Sequence, residues 1–265
     1  MGAEQPSAPF DFNGYRVVVA GGSRGIGRSM ALAFAQAGAA VSICARGAAA
    51  LEEARQAIAR QGVTAHAQSC NLADATAIDA YVTDAAAALG GIDVLVNNAS
   101  GYGFDETDEG WLAGFNVDLM AAVRASRAAL PYLKASPQPC ILHTSSIAAL
   151  RPRASGAPYA AVKAALSQYT TSQALALAEH RIRVNAIAPG SIAFADGLWE
   201  RRKLEQPELY RATLAKIPLA VSAGPRKSPM PRCSSLRRSR AGSPGKPWSS
   251  TAARCSMADE ARQDR

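Results

Sequence analysis

The sequence predicts an α/β fold: one domain built on a doubly wound parallel sheet. Three observations carry this. Short β-branched runs alternate with alanine-rich stretches of helical periodicity. The strand candidates are apolar on both faces, as strands sandwiched between two helical layers must be. Glycine, asparagine, serine and proline gather just past the carboxyl ends of those strands, where such sheets bind ligands.

Taken in order, Arg16 to Gly21 (RVVVAG) reads as a buried first strand ended by glycine. Gly25 to Gly38 has apolar residues three and four apart and a closing glycine, a helix. Val41 to Ala45 is a second strand, Ala48 to Gln61 a helix ending at Gly62, and Thr64 to Ser69 a third strand. A helix over Asp74 to Leu89 leads to a fourth strand, Asp93 to Asn97, and a long helix over Trp111 to Lys134 to a fifth, Gln138 to Ser145. A helix over Tyr159 to Glu179 and a sixth strand, Arg183 to Ala188, complete the alternation, with right-handed crossovers expected throughout.

The chain has 265 residues, 48% hydrophobic and 19% charged, enough for one large core. Three histidines and five cysteines show no metal-ligand spacing, and His143 in an apolar run reads as a core residue. No apolar run is long enough to cross a bilayer, and Met1 to Phe12 lacks a basic signal region, so a flexible leader over 1–12 and a cytoplasmic protein are expected. The net charge of +8 would suit nucleic acid. However, residues 220–265 alone hold eight Arg, two Lys, two Asp and one Glu, so residues 1–219 are nearly neutral and a nucleic-acid partner is not expected.

The chemistry-bearing residues fall at the strand ends. Gly21, Ser23, Arg24, Gly25, Ile26 and Gly27 form a glycine-rich turn between a strand and a helix. There the backbone and the free N–H groups of a helix start can approach a diphosphate. An acidic residue after the second strand would accept hydrogen bonds from a ribose 2′-hydroxyl; this chain has Ala45 and Arg46 instead. Arg46 and Arg24 could pair with a 2′-phosphate, which favours NADP(H) over NAD(H). Tyr159 and Lys163 stand four apart on one predicted helix face. A phenol is a sluggish base at neutral pH, and a neighbouring ammonium favours its phenolate.

The glycine turn with spacing GxxxGxG, Asn97-Asn98-Ala99, Ser146, Tyr159-x-x-x-Lys163 and Pro189-Gly190, in that order, resemble the short-chain dehydrogenase/reductase family over residues 14–219. The resemblance implies a Rossmann-like fold and hydride transfer between a nicotinamide cofactor and a ketone or secondary alcohol, with a 3-oxoacyl thioester one plausible substrate. It implies that Tyr159 moves the proton, that Lys163 assists it and binds the nicotinamide ribose, and that Ser146 holds the substrate oxygen, with Ser145 as the alternative. It implies that Asn116 supports a water relay from Lys163, and that Asn71, Asn98, Pro189, Gly190 and Ile192 join the glycine turn and Arg46 in holding the cofactor. A homo-oligomer is the family habit. Two departures stand out: Ser100 replaces a glycine after Asn-Asn-Ala, and Asn71 replaces an acidic residue near the adenine. The segment 190–217, with Phe194, Leu198 and Trp199 beside Arg201, Arg202 and Lys203, is expected to cover the substrate.

From Ala220 the periodicity gives way to Gly, Pro, Ser and Arg, a composition that buries too little apolar surface to order itself. Residues 219–235 and 243–253 can both be encoded by codons that, read in another frame, give segments resembling the family's next helix and last strand. A reading-frame shift is therefore expected, with loss of the last helix and strand and impaired assembly and activity. The alternative is a non-catalytic dinucleotide fold whose basic tail binds an anionic partner.

Overall fold

The computed structural model describes residues 10–152, 155–195 and 197–215. The basic tail, the frame-shift reading, the missing last helix and strand, and the tail-binding alternative all lie outside those residues. Six parallel strands, β1 (Arg16–Ala20), β2 (Ala40–Ala45), β3 (Ala65–Ser69), β4 (Val94–Asn97), β5 (Cys140–Thr144) and β6 (Arg183–Ile187), form one sheet in the order β3-β2-β1-β4-β5-β6. This is the doubly wound α/β arrangement expected. The chain runs outward from β1 to one edge, returns to β4, and runs outward to the other.

Alternation along each strand divides the core in two. Val17 and Val19 of β1, with Val41, Ile43, Val94 and Leu142, pack under α1 (Gly25–Gln36) and α2 (Ala48–Ala59). Val18 and Ala20, with Cys44, Leu95, Ile141 and Val184, pack against α3 (Ala75–Leu89) and the helical run between β4 and β5. Both faces are covered, so β1, β4 and β5 are buried almost throughout. The edge strand β3 (AHAQS) is only half-buried, because a sheet edge lacks one neighbour.

Three expectations need correction. Phe12 is no part of a flexible leader: its buried ring meets Tyr15 and Phe34 edge-on, each at 5.0 Å, and so belongs to the core. The long helix starts earlier than Trp111 and is not uniform. It comprises α4 (Asp108–Gly114), capped by the Thr107 hydroxyl accepting from Gly110 N–H, a π-helical turn over Phe115–Met120, and α5 (Ala121–Ala135). The wide turn changes which residues face inward. The next helix, α6 (Ala157–Ala176), begins one residue after Gly156 and before Tyr159, and the segment beyond β6 forms α7 (Leu198–Glu205) and α8 (Pro207–Leu214).

The amino ends of the strands are tied by Asp93. Its carboxylate accepts a bidentate pair from Arg16 at 2.7 and 2.8 Å, the Arg16 backbone N–H at 2.9 Å and the Ser136 hydroxyl at 2.5 Å. Burial opposes the charge, and these donors together hold the carboxyl below its usual range.

His143 lies on β5 with no exposed surface. Its Nε2 sits 3.0 Å from the Gln173 side-chain oxygen and its Nδ1 3.2 Å from the Asn97 amide, which fits a neutral ring donating from Nε2. Desolvation pushes its pKa down to about 4, the Gln173 oxygen opposing and the Lys163 charge adding. A depressed pKa means that the unfolded chain binds more protons below pH ~6.5. Stability is therefore fully present above that pH and falls as pH drops toward 4, by about 3 kcal/mol. Thermal midpoints measured across this window should decline for the native chain and decline less for His143→Gln.

Candidate active site

The β1 and β4 loops diverge at the reversal of strand order, and a cleft of about 1060 Å³ opens there at the carboxyl ends of the strands. Its floor is a close approach of backbone. Gly21 leaves β1 with φ +86°, and its carbonyl accepts the Asn98 side-chain amide from beyond β4 at 2.9 Å. Gly27, in the first turn of α1, packs under this pair. A Cβ there would stand 2.0 Å from the Gly21 oxygen and 2.5 Å from the Asn98 nitrogen. Gly27 thus supports the floor from below rather than lining the cleft. The Asn98 oxygen in turn accepts from the Thr144 hydroxyl at 3.2 Å, which links β4 to β5.

Every other residue expected to hold a cofactor lines the cleft. Gly21, Ser23, Arg24, Gly25 and Ile26 form one wall. Arg46 and Asn71 stand beyond β2 and β3, with Arg46 exposed at the mouth. Pro189, Gly190 and Ile192 close the other side, beyond β6. The Phe194 ring rests on the turn: a Cβ on Gly25 would be 2.8 Å from its Cζ.

Ser146, Tyr159 and Lys163 meet in the same cleft. Ser146 ends the β5 segment and caps a short 3₁₀ turn. Its Oγ accepts from Ala148 N–H at 3.1 Å, a bond that leaves the O–H hydrogen unused. Ser145 is engaged elsewhere, its Oγ donating to the Lys163 carbonyl at 3.1 Å and pairing with Ser167 at 2.8 Å. Between the two serines, the geometry leaves Ser146 free for a ligand. Tyr159 lies in the first turn of α6, half-buried, with the Phe104 ring at 4.9 Å. Lys163, one turn on, is 2% exposed. Its Nζ lies 5.9 Å from the Tyr159 ring centroid and donates to the Thr144 carbonyl at 2.7 Å.

Asn116 is not brought to this group: it does not line the cleft. Asp118, two residues later on the π-helical turn, reaches Lys163 instead, Oδ1 to Nζ at 3.0 Å. Residues two apart on a helical turn point to roughly opposite sides of it, so inward Asp118 and inward Asn116 are alternatives. Sequence reading missed Asp118 because a helical carboxylate ordinarily signals solvent. Its position among the apolar residues Val117 and Leu119 was the available clue.

The cleft wall near Tyr159 is rich in aromatic side chains. Tyr102, Phe104, Ile147, Leu198 and Trp199 border it, and the Arg202 guanidinium lies 5.3 Å from the Phe104 ring and 5.1 Å from Trp199. Tyr102 has φ +52°, unusual for a non-glycine residue. Burial pushes its phenol up, with the Arg24 charge opposing.

Comparison with known proteins agrees with this architecture. The family model for short chain dehydrogenases matches residues 15–205. The isoepoxydon dehydrogenase of Aspergillus clavatus is 38% identical over 216 residues, 80% of this chain and 83% of that protein. The L-sorbose reductase of Gluconobacter frateurii, solved with NADPH and L-sorbose, superposes with a TM-score of 0.75 at 30% identity, covering 82% of this chain and 88% of that one. An NAD⁺-bound xylitol dehydrogenase superposes equally well, TM-score 0.75 at 25% identity, over 81% and 89%. The chain belongs to the short-chain dehydrogenase/reductase family. It is an oxidoreductase fold of the kind that acts between CH–OH and C=O and binds a nicotinamide dinucleotide.

The close approach at Gly27 is directly testable. Gly27→Ala should lower the thermal midpoint and weaken dinucleotide binding at least tenfold, because the new methyl must displace backbone. Gly47→Ala, with open space around it, should leave the thermal midpoint unchanged. Calorimetry and a dinucleotide titration measure both.

Proposed function

We propose that this protein transfers hydride between NADP(H) and a ketone or secondary alcohol, with Tyr159 moving the proton. The observation that carries the reading is the single cleft into which Ser146, Tyr159, Lys163 and the glycine turn all open. The residues present fit a dinucleotide. Gly27 lets the floor close on itself, and both Arg46 and Tyr159 line the cleft.

Bound there, the nicotinamide would supply or accept the hydride. The chain's own residues do the rest. Ser146 donates its O–H to the carbonyl oxygen and stabilises the charge that develops on it. Tyr159 gives its phenolic proton to that oxygen during reduction, or takes it during oxidation. Lys163, held by the Thr144 carbonyl, presents a fixed positive charge beside the phenol and stabilises the phenolate. Phe104 packs on Tyr159 and keeps its ring oriented. The aromatic border favours a small apolar or cyclic carbonyl compound over a long charged one. A 3-oxoacyl thioester remains within the class that the family resemblance implies.

The preference for NADP(H) rests on Arg24 and Arg46, which line the cleft with no carboxylate beside them in its lining among the described residues. Residues 71, 98, 189, 190 and 192 complete the cofactor wall in this reading, while Asn116 does not line the cleft. We place the protein in the cytoplasm as a homo-oligomer. Among the described residues no helix is long and apolar enough to cross a membrane.

Two experiments test the proposal. Tyr159→Phe should reduce turnover with a reducible ketone by about 10²–10⁴-fold while dinucleotide binding stays within a few-fold. Undiminished turnover would refute the role of Tyr159. Arg46→Asp should raise the Michaelis constant for NADPH at least tenfold and leave or lower that for NADH. Equal constants in the native chain would refute the cofactor preference.

A further inference from the structure

Among the described residues, Asp118 is the carboxylate in contact with the Ser146–Tyr159–Lys163 group, and its surroundings are unusual. Its side chain has no exposed surface. Oδ2 accepts the Gly101 backbone N–H at 2.8 Å, which ties the turn after β4 to the π-helical turn. Oδ1 stands 3.0 Å from Lys163 Nζ, yet no directed hydrogen bond reaches it. Among the described residues, Asp118 Oδ1 and Asn97 Oδ1 are the only buried side-chain polar atoms left in that condition. Both residues border one small cavity of about 10 Å³, roughly the space of one water.

A carboxylate taken this far from water costs several kcal/mol unless a cation offsets it. The cation here is Lys163, the same ammonium that assists Tyr159. The Lys163 charge is therefore shared between an anion on one side and a phenol on the other. We infer that Asp118 is a positioning residue for the reaction: it fixes Lys163 toward Tyr159, balances the ammonium charge, and so sets the pH at which Tyr159 exchanges its proton. The cavity beside Asn97 completes the arrangement by seating a water on the free lobe of Oδ1. The inference rests on the proposed role of Tyr159.

Other charged or titratable groups face this cluster. Tyr102 and Arg24 approach from the cleft wall, Arg202 from above Phe104, and His143 from β5 beneath Lys163. None of these contacts Asp118 directly in the way that Lys163 does, so removing the Asp118 charge alters one term and leaves the rest in place.

The test is a pH titration of tyrosinate absorbance in the full chain, with the difference against Tyr159→Phe isolating this phenol. It needs neither substrate nor cofactor, so absence of turnover would count against the proposed function without touching this inference. Asp118→Asn keeps the shape and removes the charge, leaving Lys163 unbalanced. The Tyr159 titration should then move to lower pH by about one unit, and the acidic limb of any turnover profile should move with it. Asp118→Glu keeps the charge and should leave the titration within a few tenths of a unit of the native position. Should the asparagine variant fail to fold, Asp118→Ser gives the same reading. A carboxylate that only braces the fold would lower the thermal midpoint in these variants and leave the titration unmoved, and that result overturns the inference.

Discussion

The structure depends on a contact between two loops that leave the sheet in different directions. The Asn98 amide donates to the Gly21 carbonyl across the β1/β4 boundary, and nothing larger than hydrogen fits at Gly27 beneath it. Without that approach the β1 turn would not lie flat on the β4 loop, and the cleft would have no floor. The constraint extends from there, through the Asn98 oxygen to Thr144 and through the Thr144 carbonyl to Lys163. A line of three hydrogen bonds thus runs from the glycine turn at Gly21 to Lys163. The sheet places the loops, and these bonds fix them relative to each other.

Polarity within the protein is arranged by depth. At the amino ends of the strands, Asp93 is fully engaged by Arg16 and Ser136, a closed network suited to holding strands together. At the carboxyl ends, the polar groups are only partly satisfied. Asp118 and Asn97 each keep an oxygen without a directed donor, and Ser146 keeps a hydrogen. Unmet capacity of this kind is expensive in a core and is tolerated at the end of the sheet where ligands bind. His143 lies between the two regimes. It is buried and neutral, its ring is shared by Gln173 and Asn97, and the nearby Lys163 charge adds to the burial that keeps it so.

Much of the site was legible because its parts are local. A glycine turn, a Tyr/Lys pair four apart and an asparagine pair each declare themselves within a few residues. Arg24 and Arg46 were found by asking what stands after the first two strands. Asn116 and Asp118 show where this fails. Both lie on one helical run, and a π-helical turn decides which of them points inward. Turn geometry of that sort depends on what the helix packs against, and no local pattern encodes it. Similarly, two adjacent serines, Ser145 and Ser146, cannot be told apart until Ser167 and the Lys163 carbonyl are seen to occupy the first.

The amino-acid sequence by itself determined the strand-helix alternation, the six parallel strands and the gathering of Gly21, Asn98, Ser146 and Pro189 at one end of them. Hydrophobic periodicity fixes the elements, and the handedness of crossovers leaves little freedom in how they assemble. Tertiary structure alone decided the pairings across elements: Asp118 with Lys163, Asn98 with Gly21, Phe194 on Gly25. These join residues far apart in the chain, and they form because buried polar groups and rings must find their partners inside the fold.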